Sequence, residues 1–173
     1  MREEPKTMRL AGIVRESIVD GPGFRFCVFC QGCPHDCPGC HNMETHDFQS
    51  GREVELARIL EEIDKNPMLS GVTFTGGEPF CQPEAFAALA HEVKRRGLDI
   101  VTFSGYTYEE LVKKAKENPA AEDLLDQTRL LVDGRFREEE KDLSLRFRGS
   151  RNQRIIDMDA TRREGQMLLW DQD

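Results

Sequence analysis

Four short runs along the chain are rich in β-branched and aromatic residues: FRFCVF (Phe24–Phe29), GVTFTGG (Gly71–Gly77), DIVTFSG (Asp99–Gly105) and TRLLVDG (Thr128–Gly134). Such runs read as strands, and the last three end in glycine. The segments between them repeat their apolar positions with a helical period. Val54 to Ile63 places Val54, Leu56, Ala57, Ile59, Leu60 and Ile63 close to one face. Pro83 to Arg96 does the same with Phe86, Leu89, Ala90 and Val93, with Pro83 as a start signal and Gly97 as a stop. Tyr108 to Glu117 is a third predicted helix and Glu122 to Asp126 a short fourth. Arg9 to Val14 has strand character, and DGPG (Asp20 to Gly23) follows it with turn chemistry. Arg154 to Asp157 and Gln166 to Trp170 are weaker strand candidates.

Alternating strands and helices predict βα units around a mostly parallel sheet. Sites in such sheets lie at the C-terminal ends of strands, so TFTGGEP, TFSGY and LVDGRF should converge on one rim. At 173 residues the chain is shorter than the roughly 250 of a full eight-unit barrel. The expected fold is therefore α/β, an open partial (β/α) barrel with mostly parallel strands, formed by residues 1–173 as one domain.

Composition narrows the function classes. No apolar run approaches the roughly 18 residues of a membrane span, so no membrane partner is expected. The opening MREEPKTMRL lacks the apolar core of a secretory signal. The expected compartment is the cytoplasm, where thiols stay reduced and clustered cysteines point to metal or redox chemistry. A net charge of −8 without an extended basic run argues against nucleic acid as a partner.

The candidate chemistry lies in FCVFCQGCPHDCPGCHN, Phe26 to Asn42, which holds five of the six cysteines. Cys27 and Cys30 belong to an apolar strand and, like Cys81 beside GGEP, fit buried small hydrophobes. Cys33, Cys37 and Cys40 sit among Gly32, Pro34, Asp36, Pro38 and Gly39, a loop with no apolar face to bury them. A zinc reading pairs Cys30-x2-Cys33 with Cys37-x2-Cys40, but only three residues separate the pairs, against roughly 12 to 20 in zinc ribbons and fingers. Cys27, Cys30, Cys33 and Cys37-Pro38 also match the bacterial ferredoxin run. Against it, strand neighbours of opposite parity face opposite ways, and too few cysteines remain for a second set. The loop alone, Cys33-x3-Cys37-x2-Cys40, can hold three irons of a [4Fe–4S] cube and leave the fourth open. Downstream, TFTGGEP (Thr73 to Pro79) offers Gly76 and Gly77 for close backbone approach and Glu78 as an acceptor for a cationic amine.

These motifs, with VDGPGFR, QGCPHDCPGCHN, SGYTYEEL (Ser104 to Leu111), LVDGRF and KDLSLRFRGSRNQRIID (Lys141 to Asp157), run through nearly the whole chain. Together they resemble the activating enzymes of anaerobic (class III) ribonucleotide reductase, a branch of the radical S-adenosylmethionine superfamily. The resemblance implies one [4Fe–4S] cluster on Cys33, Cys37 and Cys40, with S-adenosyl-L-methionine as the second cofactor. Gly76, Gly77 and Glu78 would hold its methionine end, and Gly39, Cys40 and His41 would lie near its adenosyl part. Thr102 and Ser104 are weaker candidates for its carboxylate or ribose. No side chain need act as an acid or base. The implied partners are anaerobic ribonucleoside-triphosphate reductase and an external electron donor such as flavodoxin or ferredoxin. Two departures stand out. Gly39 replaces the aromatic residue common before the third cysteine, which makes His41 the stacking candidate, and Arg151 replaces a usual serine. Activation of a formate-lyase type of enzyme, or a ferredoxin-like carrier, remain the alternatives. His35 and His46 are expected as solvated loop histidines, His91 as a helix-surface residue, and Trp170 as a packing anchor.

Overall fold

The computed structural model describes residues 4–171, so the first three and last two residues of the expected domain lie outside it. A seven-stranded sheet runs through it in the order β3-β1-β2-β4-β5-β6-β7. Its centre is parallel: β2 (Arg25–Cys30), β4 (Gly71–Gly76), β5 (Asp99–Phe103) and β6 (Leu130–Asp133). β1 (Thr7–Ser17) and β3 (Arg52–Glu55) extend one edge and β7 (Arg154–Asp157) the other, all antiparallel to their neighbours. The fold is thus mixed α/β with a parallel middle. Among the described residues no helix is long and apolar enough to cross a membrane.

Each central strand sends alternate side chains to opposite faces. Phe26, Val28, Val72, Phe74, Ile100 and Leu131 meet the helices and are buried. The covering helices are α1 (Leu56–Asp64), α2 (Pro83–Arg95), α3 (Tyr108–Glu117) and α4 (Pro119–Gln127). They contribute Ile59, Ile63, Phe86, Leu89, Val93, Leu111 and Leu124. On the other face Val101, Leu130, Val132 and Ile155 make a smaller cluster with Phe103, Phe147 and Trp170. That face is half covered, and its upper part opens into a cavity.

Helix starts follow local chemistry. Thr107 and Glu110 form a reciprocal capping box on α3, and Asn118 caps α4 through Ala120 and Ala121. Three expectations need correction. β1 is eleven residues long, not six, because β3 pairs with its first residues, Thr7 to Leu10, and β2 carries pairing on to Ser17. Val54, expected as the first residue of a helix, belongs instead to β3 (REVE), too short and charged to read as a strand without its partner, and the helix begins at Leu56. Gln166–Trp170 forms one bridge, Ile156 to Leu169, and no strand, while α5 (Met158–Glu164) precedes it. Its Asp157 cap and left-handed Gly165 stop were signals in the sequence.

The first residue of β2 ties the sheet's lower end together. Arg25 is fully buried. Its guanidinium donates to Thr73 Oγ1 (2.8 Å), to the carbonyls of Pro22 (3.0 Å) and Val72 (3.0 Å), and to Asp99 Oδ1 (2.6 Å). It therefore joins the DGPG turn to β4 and β5. Burial lowers its pKa, and the Asp99 carboxylate works in the opposite direction. Arg25→Leu is expected to destabilise the fold by about 2–4 kcal/mol, measured by denaturant unfolding, because several buried acceptors lose a charged donor. A loss below about 1 kcal/mol would show that the network is not structural.

Candidate functional site

The cysteine loop is closed at its base by backbone pairing. Gly32 N donates to Thr45 O (2.6 Å) and Cys33 N to His46 O (3.2 Å). The Gln31 amide crosses the same base, donating to Glu44 O (3.1 Å) and Asp47 O (2.6 Å). The segment between these ties leaves β2 at the strand's C-terminal end and carries Cys33, Cys37 and Cys40. All three line one cavity of about 500 Å³, together with Gly76, Gly77, Ser104 and Gly105. The expected convergence of strand ends is present, and Gly134 and Phe136 from the LVDGRF segment line the same space.

Each sulfur meets a backbone N–H: Cys33 that of His35, Cys37 that of Phe136, and Cys40 that of Asn42 (3.4 Å). Such donors favour anionic sulfur. Burial, and after it the charges of Glu78, Cys37 and Cys40, push the Cys33 thiol up to about 11, and burial with Cys40 also raises Cys37. Among the described residues no three His, Cys, Asp or Glu side chains converge as ligands of one ion would. Ligands to separate irons of a cube need not converge in that way. A cavity ringed by three thiols with N–H donors suits such a cluster.

Cys27 and Cys30 lie apart from it. Cys27 is buried, within 3.5 Å of Asp20 Oδ2, and pushed up to about 12 by burial and that carboxylate. Cys30 belongs to the core under the helices, accepts from Gln82 Nε2 (3.1 Å), and is raised further by burial. Cys81, half-buried in the turn after Pro79, is pushed up to about 11 by burial and by Glu78. None of the three lines the cavity.

The two glycines of GGEP are required by backbone packing as well as by access. A Cβ on Gly76 would lie 2.5 Å from Cys30 N, and one on Gly77 would lie 2.5 Å from Gly32 O. Gly77 N and Glu78 N donate to Cys30 O (3.1 Å) and Gly32 O (2.8 Å), so the glycine loop is fastened to the root of the cysteine loop.

Glu78 is placed where its sequence neighbours did not suggest. Its side chain is completely buried and is not part of the cavity lining. Oε1 accepts from Gly105 N (2.8 Å) and Ser104 Oγ (3.0 Å) and lies 2.7 Å from His35 Nε2; Oε2 accepts from Phe80 N (3.1 Å). A direct contact with an amine would have to displace one of these donors. His35 is correspondingly not a solvated loop histidine: its side chain is 5% exposed and stands edge-on to Tyr106 at 4.5 Å. His46 is also mostly buried, near Asp36. His91, as expected, meets a carboxylate, Asp123 (2.8 Å), on the surface.

The remaining candidates divide. Ser104 lines the cavity. Thr102 does not: its parity turns it to the helical face, where its hydroxyl is fully buried and bonded to Thr128 Oγ1 (2.9 Å). Alternation along β5 puts Val101 and Phe103 on the open side instead. Gly39 (φ +75°) lies outside the lining, beside the Glu138 carboxylate, whereas His41 lines the cavity 5.5 Å from the Phe136 ring. Asn42 is a lining residue that the motif reading missed. Its amide donates to Gly76 O (3.4 Å), linking cysteine loop and glycine loop, and only its place directly after Cys40-His41 could have flagged it.

A family profile described as a 4Fe-4S single cluster domain matches residues 19–156. The anaerobic ribonucleoside-triphosphate reductase-activating protein of Escherichia coli is 36% identical over 145 residues, covering 79% of this chain and 90% of the relative. The protein of the same name from Pasteurella multocida is 36% identical over 147 residues, 80% of this chain and 90% of the relative. This chain belongs to that reductase-activating protein family. A pyruvate formate-lyase-activating enzyme from Clostridium pasteurianum is 35% identical over 114 residues, covering 61% of this chain and 48% of the relative. The 4Fe-4S single cluster domain match spans both the cysteine loop and the LVDGRF segment that lines the cavity.

Cys33→Ala, Cys37→Ala and Cys40→Ala are each expected to lose the iron and sulfide taken up on anaerobic reconstitution, while Cys27→Ala and Cys30→Ala retain them. Loss in Cys27→Ala with retention in Cys40→Ala would restore the ferredoxin pattern. Glu78→Gln puts an N–H₂ among groups that mostly donate. It is expected to cost about 1–3 kcal/mol of stability in denaturant unfolding, and an unchanged midpoint would refute the bracing role.

Proposed function

We propose that the protein is a cytoplasmic radical S-adenosylmethionine activase that installs a glycyl radical on anaerobic ribonucleoside-triphosphate reductase. The observation that carries the reading is the meeting of Cys33, Cys37 and Cys40 with Gly76 and Gly77 in one cavity at the parallel strands' C-terminal rim. Family membership supplies the reaction class, and the sheet with its parallel middle is read as an open partial barrel of one domain. A cluster held there would supply the electron, drawn from a donor such as flavodoxin or ferredoxin, for reductive cleavage of S-adenosylmethionine to methionine and a 5′-deoxyadenosyl radical able to take hydrogen from glycine.

The chain's own groups bind, orient and shield. Cys33, Cys37 and Cys40 would hold the cluster, three thiolates for four irons, and so would leave one iron without a protein ligand. Gly76 and Gly77 bring bare backbone to the methionine end, and Glu78 keeps that backbone in place from beneath. Ser104 reaches the cavity while donating to Glu78, and so passes the rim of β5 into the same arrangement. His41, with Phe136 beside it, offers a ring for the adenine, and Cys40 and Gly39 lie next to it in sequence. No proton transfer is required of any side chain. The apolar Phe29, Phe103 and Val132 below exclude water from the reacting region.

The reduced, reconstituted protein, mixed anaerobically with S-adenosylmethionine and the reductase, is expected to give a glycyl doublet by electron paramagnetic resonance and to release 5′-deoxyadenosine. A doublet on a formate-lyase partner but none on the reductase would move the assignment to that relative's substrate. No 5′-deoxyadenosine with either partner would refute the chemistry.

A further inference from the structure

The cavity has a second wall opposite the cysteine loop, which the chemistry above does not use. It is the segment Lys141–Gly149, of which Asp142, Leu143, Leu145, Phe147, Arg148 and Gly149 line the cavity. Leu143 is 86% exposed, and Val19, 70% exposed, lines the same cavity from the turn after β1. Two large apolar side chains are thus left in water at one mouth.

This wall is built rather than loose. Gln153 Oε1 accepts from Gly149 N (2.8 Å) and Ser150 N (3.1 Å), while its Nε2 donates to Gly134 O (3.0 Å). Phe147 is held at φ +60°, an unfavourable backbone for a side-chain-bearing residue, with its ring tilted against Trp170 at 6.1 Å. A strained residue over-determined by its surroundings is a common mark of a functional segment.

The wall is rich in arginine in a chain of net charge −8: residues 143–156 contain four arginines, and Asp142, which lines the cavity just before them, is the one acid of the segment. Nearby arginines are satisfied: Arg135 pairs with Glu110, Arg137 with Glu140, and Arg154 with Asp133 and Glu109. Arg146 instead lies 5.0 Å over the Phe147 ring, and Arg148 donates to Gln153 O while its buried Nε has no partner. Arg151 feels Asp142 only at longer range. Among the described residues none of these three sits in an ion pair.

We propose that Leu143, Arg146, Arg148 and Arg151, with Val19 across the mouth, form the docking lip for the protein substrate. The occupant is a segment of the reductase that presents an apolar side chain flanked by acidic ones. This rests on the activase reading above. Exposed Leu143 and Val19 gain by desolvation, and unpaired guanidiniums gain by meeting carboxylates. The lip also gives an acidic chain one face that an acidic partner can approach, which sets the orientation of docking.

The test uses the reconstituted, cluster-bearing protein and the reductase. Leu143→Asp and the double variant Arg146→Glu/Arg151→Glu lie outside the cofactor-holding residues. Both are expected to keep wild-type iron content and wild-type release of 5′-deoxyadenosine with a chemical reductant alone. Both are expected to bind the reductase about tenfold or more weakly and to lose glycyl-radical yield in proportion. Wild-type binding should weaken as salt is raised. Unchanged affinity and radical yield in both variants would overturn the lip. So would loss of self-association in sedimentation with reductase binding intact, which would make this face a contact between copies. If the wild-type protein cleaves S-adenosylmethionine yet gives no radical on the reductase, the activase assignment itself falls, and the named occupant with it.

Discussion

The Glu78 carboxylate lies where three strand-end loops must be held together. It receives Phe80 N from its own loop, Ser104 and Gly105 from the end of β5, and His35 from the cysteine loop. A buried carboxylate is tolerated only when its lone pairs are filled, and here they are. The consequence is mechanical. The loop that carries the sulfurs and the loop that offers bare glycine backbone cannot move independently, because one buried charge bonds to both. Gly77 N to Cys30 O and Asn42 Nδ2 to Gly76 O repeat the tie from the side. A site that must hold a cluster and an organic cofactor in register needs such a shared support.

The sheet's alternation sorts the cysteines in the same way. Cys30 shares a face with Phe26 and Val28 and disappears under the helices, and Cys27 is spent beside Asp20. Only the three beyond the strand reach the cavity. The ferredoxin-like spacing that spans strand and loop therefore crosses a structural border, and spacing alone could not reveal it. The lower end of the sheet is held by a second buried charge, Arg25, so the two ends of the parallel core are each fastened by one ionic hub.

Much of this was legible before the structure because it rests on local patterns. The apolar runs ending in glycine located β4, β5 and β6, and the period in Pro83–Arg96 located α2 to within a residue. The cysteine loop could be told from the strand by its Gly, Pro and Asp content. What escaped depends on distant partners. Glu78 looked like a ligand acceptor because nothing local shows that His35 and Ser104 fold onto it. Thr102 was a fair candidate at a strand end, but only register decides which face a strand residue occupies. β3 exists because β1 is there to pair with it, and its own residues say little.

The central claim is that three thiolates of the loop carry a four-iron cluster whose remaining iron is open to S-adenosylmethionine. Mössbauer spectroscopy of the iron-reconstituted protein, with and without S-adenosylmethionine, tests it most directly. The account predicts one iron environment that changes when the cofactor is added while the others stay as they were. A spectrum in which every iron is unaffected by a saturating concentration of the cofactor would contradict it.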